Sequence, residues 1–446
     1  MRRGPGEAGL VRALGVWGLA ASIVNITIGG GIFVAPGVPD IAGRLGAAAP
    51  VAYIVCAIAM AFVVLCFAEA GSRVALTGGP YAYVERAFGG FAGFAVGWML
   101  WVTATIATAA VGTIFADGVQ RLFPAHPLSN RTTVLALVFG TVAVINVFGV
   151  RAGSRLNVAS TIAKLIPLAI LIVIALPHVQ RANLRWTSVP TPQAVGRASI
   201  TLIFIFAGIE SALVPSGEVR EPARSVPRAV MLALVTVTLV YMLIQLIAQG
   251  VLGASLSGRP TPLVDVADAV MGPAGAALLG VAVVLSTFGY LCGMILAAPR
   301  ALFAFARDGV LPLTLSNVHE RYHTPWIAII VQTALCLTLA ISTGFQPLVI
   351  LANVSVLFVY FGCAAAAWQL RRRGIREDTS APLTALPGSR YAPAFAMLII
   401  IALLLPVTRR EWLVAGTCLA IGIVLYIISL LPTRGMRRAP LLTRRP

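Results

Sequence analysis

The chain has 446 residues, of which 59% are hydrophobic and 11% charged, and its 42 glycines bring the apolar-plus-glycine share to about 68%. Soluble domains carry roughly 45–50% on that measure, so a soluble enzyme and a disordered chain are both excluded. The formal charge of +18 fits basic loops at one membrane face rather than a nucleic-acid footprint.

A bilayer crossing takes ~20 consecutive apolar residues. In chain order, twelve stretches qualify: 14–36, 47–70, 91–119, 132–150, 156–177, 196–217, 227–252, 273–304, 326–344, 346–369, 392–408 and 411–432. The first follows Arg2, Arg3 and Arg12 but lacks a small-residue cleavage pattern, so it reads as a retained helix. With twelve crossings, 23 basic residues fall on the side of the termini and nine on the other, with Lys164 inside the fifth span. The positive-inside rule then puts both termini in the cytoplasm of a plasma (inner) membrane protein.

The expected layout is a cytoplasmic N-terminus (1–13), a first helical unit (14–177), an external loop (178–195) and a second helical unit (196–370). A cytoplasmic loop (371–391), two more spans (392–432) and a basic cytoplasmic tail (433–446) complete it. All six cysteines lie in apolar stretches, where they read as small buried hydrophobes rather than a disulfide framework. The four histidines form no ligand cluster, and the only lysine follows Ala163, so there is no Walker A loop. No metal and no cofactor is expected.

Two spans carry breaks. The first contains Gly29-Gly30-Gly31 with Pro36 seven residues after Gly29; the sixth contains Ala207-Gly208 with Pro215 seven residues after Gly208. Three glycines in a row disfavour helix, and the two breaks lie 179 residues apart at matching places. Paired Gly/Pro interruptions in two halves of a membrane chain point to a transporter binding site.

The stretches IGGGIFVAPG (28–37), FAGIESALVPSGEVREPARSVPRAV (206–230) and APRALFAFARDGVLP (298–312) resemble the amino acid–polyamine–organocation superfamily, and the likeness runs from about Val11 to Leu431. It implies an all-α polytopic fold of twelve transmembrane helices. These form a LeuT-type 5+5 inverted repeat, with broken helices 1 and 6 and two extra C-terminal helices. The same resemblance implies that the amides of Gly29, Gly30 and Gly31 meet a substrate carboxylate. The carbonyls near Thr27 and of Phe204, Ile205 and Ala207 would meet its ammonium, and Phe204 would form an aromatic gate. Physical chemistry points the same way. Buried carboxylate and ammonium groups need partners, and unwound backbone supplies both kinds without charged side chains.

Lys164 lies about a third of the way into span five, a depth that costs roughly 2.5–3.5 kcal/mol and marks a functional candidate. Lysine, unlike arginine, can lose its proton there. By resemblance it stands in for a bound sodium ion, bracing span one against span eight, where Ser286 and Thr287 correspond to the hydroxyl part of that sodium site. Glu210, directly after the second break, reads either as a protonatable gate or as a structural acid. Glu69 and Asp117 read as interface charges.

The expected function is sodium-independent amino acid transport, proton-coupled or by exchange, with neutral L-amino acids favoured because no second buried acid accompanies Glu210. The alternative is a cationic amino acid or polyamine transporter or antiporter. Residues on span three (Trp98, Trp101, Thr103, Thr105, Thr108), span eight (Phe288, Tyr290) and span ten (Asn353, Ser355, Tyr360) are candidates for reading the substrate side chain. A membrane enzyme lacks a catalytic cluster at one depth, and a channel or sensor is the remaining rival. The expected partners are a small-molecule amino acid and the lipid bilayer, with no nucleic acid; oligomeric state is left open.

Overall fold

The computed structural model describes residues 16–74, 80–148, 165–186, 188–208, 222–375 and 390–431. Among these the α-helices are, in order, α1 Val16–Thr27, α2 Ala49–Arg73, α3 Pro80–Phe88, α4 Gly90–Leu122, α5 Arg131–Phe148, α6 Leu165–His178 and α7 Pro192–Phe206. They continue with α8 Pro222–Leu252, α9 Pro262–Ala297, α10 Pro299–Arg307, α11 Trp326–Ser342, α12 Phe345–Arg372, α13 Ala392–Leu404 and α14 Arg409–Leu430. No strand occurs among the described residues. Seven of the helices are long and apolar enough to cross a membrane, and α6, α7, α11 and α13 are shorter apolar helices. The chain is therefore an all-helical, polytopic membrane protein.

Each apolar stretch of the sequence holds one of the longer helices; the short helix α3 lies between two stretches, and α10 takes up the end of the eighth. The eighth stretch ends earlier than expected, at Ala297 rather than 304, because Pro299 opens a separate helix. Proline has no N–H to give to a continuing helix but fits a first turn well. The same preference places proline in the first turn of α2, α7, α9 and α13. Within α9 the chain bends at Gly272, with φ of 67°, just before Pro273. A left-handed glycine also stands between α3 and α4, at Gly89 with φ of 94°. Both positions suit glycine because a Cβ is disfavoured there.

α4 and α12 pack on each other at the centre of the bundle. Of their apolar windows 72% is buried, against 11% for α14, whose Leu413, Ile421, Val424 and Ile428 face outward and suit contact with lipid. Polar contacts collect at two opposite ends of the bundle. At one end Arg121 meets Asp268 at 3.1 Å, Arg259 meets Asp265 at 3.1 Å and Arg197 meets Glu411 at 2.7 Å. At the other, Glu69 pairs with Arg371 at 2.6 Å and Arg73 at 3.2 Å, and Arg373 donates to the Ala87 carbonyl. Four of these contacts join different helices, α4 to α9, α7 to α14, α2 to α12 and α12 to α3, whereas Arg259–Asp265 and Glu69–Arg73 are local.

Candidate functional site between two broken helices

α1 stops at Thr27, whose carbonyl accepts the Gly29 amide at 2.7 Å. The chain then proceeds as 3₁₀ turns at Gly30–Phe33 and Ala35–Gly37, a π turn at Pro39–Gly43 and another 3₁₀ turn at Gly46–Ala48. Span one, expected to reach 36 with a break at its three glycines, is thus a string of short turns beyond Thr27. Each such turn opens with backbone N–H groups that its own hydrogen-bond pattern cannot pair.

Close approach accounts for two of the three glycines. A Cβ on Gly30 would lie 2.8 Å from the Thr287 methyl and 3.7 Å from Val111. One on Gly31 would lie 2.9 Å from Ile205 and 3.0 Å from Phe204. A Cβ on Gly29 would meet nothing nearer than the Thr27 carbonyl, at 3.9 Å. The first break is therefore pressed between α7, α9 and α4 along its backbone.

α7 keeps regular geometry to Phe206, and the Ala207 amide still bonds the Ile203 carbonyl at 2.8 Å. Gly208 then turns with φ of 110°, a conformation other residues rarely take. Phe204 is half-buried and meets Phe345 of α12 edge-on at 5.9 Å.

Of the residues singled out in the sequence, Thr27, Gly30, Gly31, Phe204, Ile205 and Thr287 converge here, with Gly29, Ala207 and Gly208 on the adjoining backbone. The Thr287 hydroxyl bonds the Val283 carbonyl of its own helix at 2.7 Å, leaving its methyl against Gly30. Ser286 is buried beside it. Lys164 and Glu210 lie outside the described residues. In span three, Thr103, Thr105 and Thr108 bond carbonyls one turn back, and Trp101 bonds Gln332 of α11. Trp98 donates to the Cys418 carbonyl, and Asn353 holds α7 through the Ile200 carbonyl at 2.6 Å.

One residue that the motifs do not single out is Tyr241 of α8. It is fully buried, and its hydroxyl lies 2.8 Å from the Thr27 carbonyl and 2.8 Å from the Ile205 carbonyl. One phenol thus ties the end of α1 to the end of α7. A signal existed: Tyr241, Gln245 and Gln249 recur every four residues in an otherwise apolar span, which places them on one helix face. Gln245 accepts from Tyr53 at 3.0 Å, and its amide nitrogen has no partner; neither does the Thr27 hydroxyl.

A cavity of about 440 Å³ lies elsewhere, on the flank of α4, α5 and α9, and includes Phe115, Val119, His126 and Phe288. It shares no residue with the breaks. What the breaks offer is backbone N–H and C=O dipoles, the unpaired buried hydroxyl of Thr27 and apolar walls. Such a set can hold a small zwitterion.

A helical membrane bundle in which the ends of two helices meet at glycines is the build of a solute transporter. The family described as amino acid permease matches residues 14–439, and the chain belongs to it. Among relatives, the serine/threonine exchanger SteT of Bacillus subtilis is 30% identical over 391 residues, covering 84% of this chain and 88% of its own. The large neutral amino acids transporter small subunit 2 of Mus musculus is 28% identical, covering 95% and 81%. The branched-chain amino acid permease BcaP of Bacillus subtilis is 26% identical, covering 95% and 94%. The family and these relatives are amino acid transporters and permeases, not enzymes, and the chain is a multi-pass membrane protein of that kind.

Proposed function

We propose that the chain is a secondary active transporter that moves neutral L-amino acids by alternating access, without sodium, by proton symport or by exchange. The observation that carries this reading is the junction of the two breaks, where Gly30 and Gly31 lie against Thr287, Ile205 and Phe204, and Tyr241 joins the two helix ends. The substrate carboxylate would take the N–H groups of Gly30 and Gly31, since that of Gly29 is bonded to the Thr27 carbonyl, and its ammonium would take break carbonyls such as those of Phe204 and Ala207. Tyr241 already engages the carbonyls of Thr27 and Ile205, so it orients the backbone around the substrate. The names of the three relatives all specify neutral amino acids or exchange of them, which favours a neutral substrate over a cationic amino acid or polyamine.

The matched order of elements supports twelve spans in a 5+5 repeat plus two helices. In each half a broken span is followed by a full span, then a helix closed by a left-handed glycine, Gly89 in one and Gly272 in the other. On this reading both termini are cytoplasmic, and the face that holds Asp265 and Glu411 is external. Lys164 replaces the coupling sodium, and Glu210 gates the site.

The test is radiolabelled uptake into proteoliposomes with neutral, cationic and acidic amino acids and polyamines, each with and without sodium, a pH gradient and preloaded substrate. Uptake of neutral amino acids in sodium-free buffer is expected. A strict sodium requirement contradicts the role given to Lys164, and uptake of cationic compounds alone moves the assignment to the alternative.

A further inference from the structure

At the face read as external, four elements meet on one arginine. Arg197, in the second turn of α7, forms a two-pronged pair with Glu411, its two terminal nitrogens donating to the carboxylate oxygens at 2.7 and 2.8 Å. One of those nitrogens also reaches the Pro406 carbonyl at 3.4 Å, in the turn between α13 and α14. The Arg197 Nε lies 3.4 Å from Asp40, which sits in the π turn beyond the first break and is only 4% exposed. Asp40 accepts further from Arg44 at 2.8 Å and from Gln346, in the first turn of α12, at 2.9 Å. Glu411 is itself fixed, because it forms a capping box with Thr408 at the start of α14.

The geometry tells the two ends of this network apart. Asp40 and Arg197 belong to the outer continuations of the two broken helices. Glu411 and Pro406 belong to the last helix pair, which stands at the rim of the bundle. Backbone packing is close as well: a Cβ on Gly196 would lie 3.2 Å from Pro406. We infer that Arg197 is a positioning residue, a latch that holds the outer halves of both broken helices shut against α13–α14, with Glu411 as the fixed post. The last two helices thereby gain a role in transport although they lie outside the site. Two-pronged, charge-assisted pairs are directional and stronger than neutral hydrogen bonds, and this one is largely shielded, with side chains 18% and 19% exposed. Opening the external face requires that it break.

The inference rests on the alternating-access reading, and it makes a sided prediction. Removing the latch raises the population of the externally open state, so external substrate no longer has to supply the free energy of opening. In Arg197→Gln and in Glu411→Gln the apparent KM for external substrate should fall about tenfold, the KM from the cytoplasmic side should rise, and the double variant should match the single ones. Arg197→Lys keeps the charge but loses the fork and should fall between.

The measurement is exchange kinetics of the full-length protein in right-side-out and inside-out vesicles, normalised to folded protein by size-exclusion profile. Opposite shifts of the two KM values support the latch. Equal KM values on both faces with a lower kcat, or additive effects in the double variant, overturn it and leave a merely structural pair. Absence of transport by the unaltered chain overturns the reading beneath it, and the latch with it.

Discussion

At the first break the chain leaves α1 at Thr27 and does not return to α-helix until Ala49; at the second, α7 holds its helix to Phe206 and turns sharply at Gly208. Gly30 and Gly31 serve the first break by having no side chain, since their φ angles are not left-handed and a Cβ would collide with Thr287, Ile205 or Phe204. Gly208 serves the second by its backbone, with φ of 110°. Two positions that look equivalent in the sequence thus rest on different physics, packing at one and conformation at the other. A side-chain-free surface lets the first segment seat its backbone against three helices. A left-handed φ at Gly208 follows the end of the second helix.

That contrast is broken most severely at Gly31. Valine there would drive its Cβ and methyls into Ile205 and Phe204, and the backbone must retreat by a good fraction of an ångström. Overpacking of this kind costs typically 1–3 kcal/mol, and displacement of a binding segment by ~1 Å can cost about a hundredfold in rate. Gly31→Val should lose transport by about that factor while the protein still inserts and elutes as a single species. Near-normal uptake would mean that Phe204 and Ile205 yield freely and that the first break is not a packed junction.

Gly208→Ala probes the second break through conformation alone. Forcing a residue with a Cβ to φ of 110° costs about 1–3 kcal/mol, so uptake should fall about tenfold and the thermal midpoint should drop. Tyr241→Phe addresses the link between the two. It removes the hydroxyl that the carbonyls of Thr27 and Ile205 share; Thr27 keeps the Gly29 amide as donor, so the loss is of the order of one buried hydrogen bond, about 1–3 kcal/mol. The expected result is a KM raised several-fold with modest change in stability. A variant with unaltered KM would show that the two breaks are positioned independently.

The breaks were legible in the sequence because their causes are compositional: runs of glycine and spaced prolines inside an apolar stretch work against a continuous helix and mark where it stops. That the chain is an all-helical membrane protein was legible for the same reason, since long apolar stretches demand it, whereas the short helices α3 and α10 were not foreseen. What stayed hidden depends on three-dimensional approach. The hydroxyls of Thr103, Thr105 and Thr108 donate to carbonyls of their own helix, and Asn353 to a carbonyl of α7; periodicity cannot show which way a hydroxyl turns. Tyr241 was hidden because a tyrosine in a span is equally at home packed in a core, and only its distance to two carbonyls gives it a role. The Arg197–Glu411 pair spans 214 positions, and no local pattern announces such a contact.

The smallest expected effect is the most discriminating, because it separates the three neighbouring glycines. Gly29 has φ of −92° and ψ of −164°, an extended conformation that any residue adopts, and a Cβ there meets only the Thr27 carbonyl at 3.9 Å. Its amide bonds that same carbonyl, and an alanine keeps the amide. Gly29→Ala should therefore leave uptake within about twofold and, by restricting the unfolded chain, hold stability level or raise it by about 0.4–1 kcal/mol. Substrate binds by the backbone of this segment in the proposed site, so a methyl that points away from Thr287 and Phe204 does not touch it. If Gly29→Ala were instead as damaging as Gly31→Val, the space beside Gly29 would have to be occupied by substrate itself, and the carboxylate would sit closer to Gly29 than to Gly31. Parallel measurement of affinity and thermal midpoint in the two variants decides between these placements.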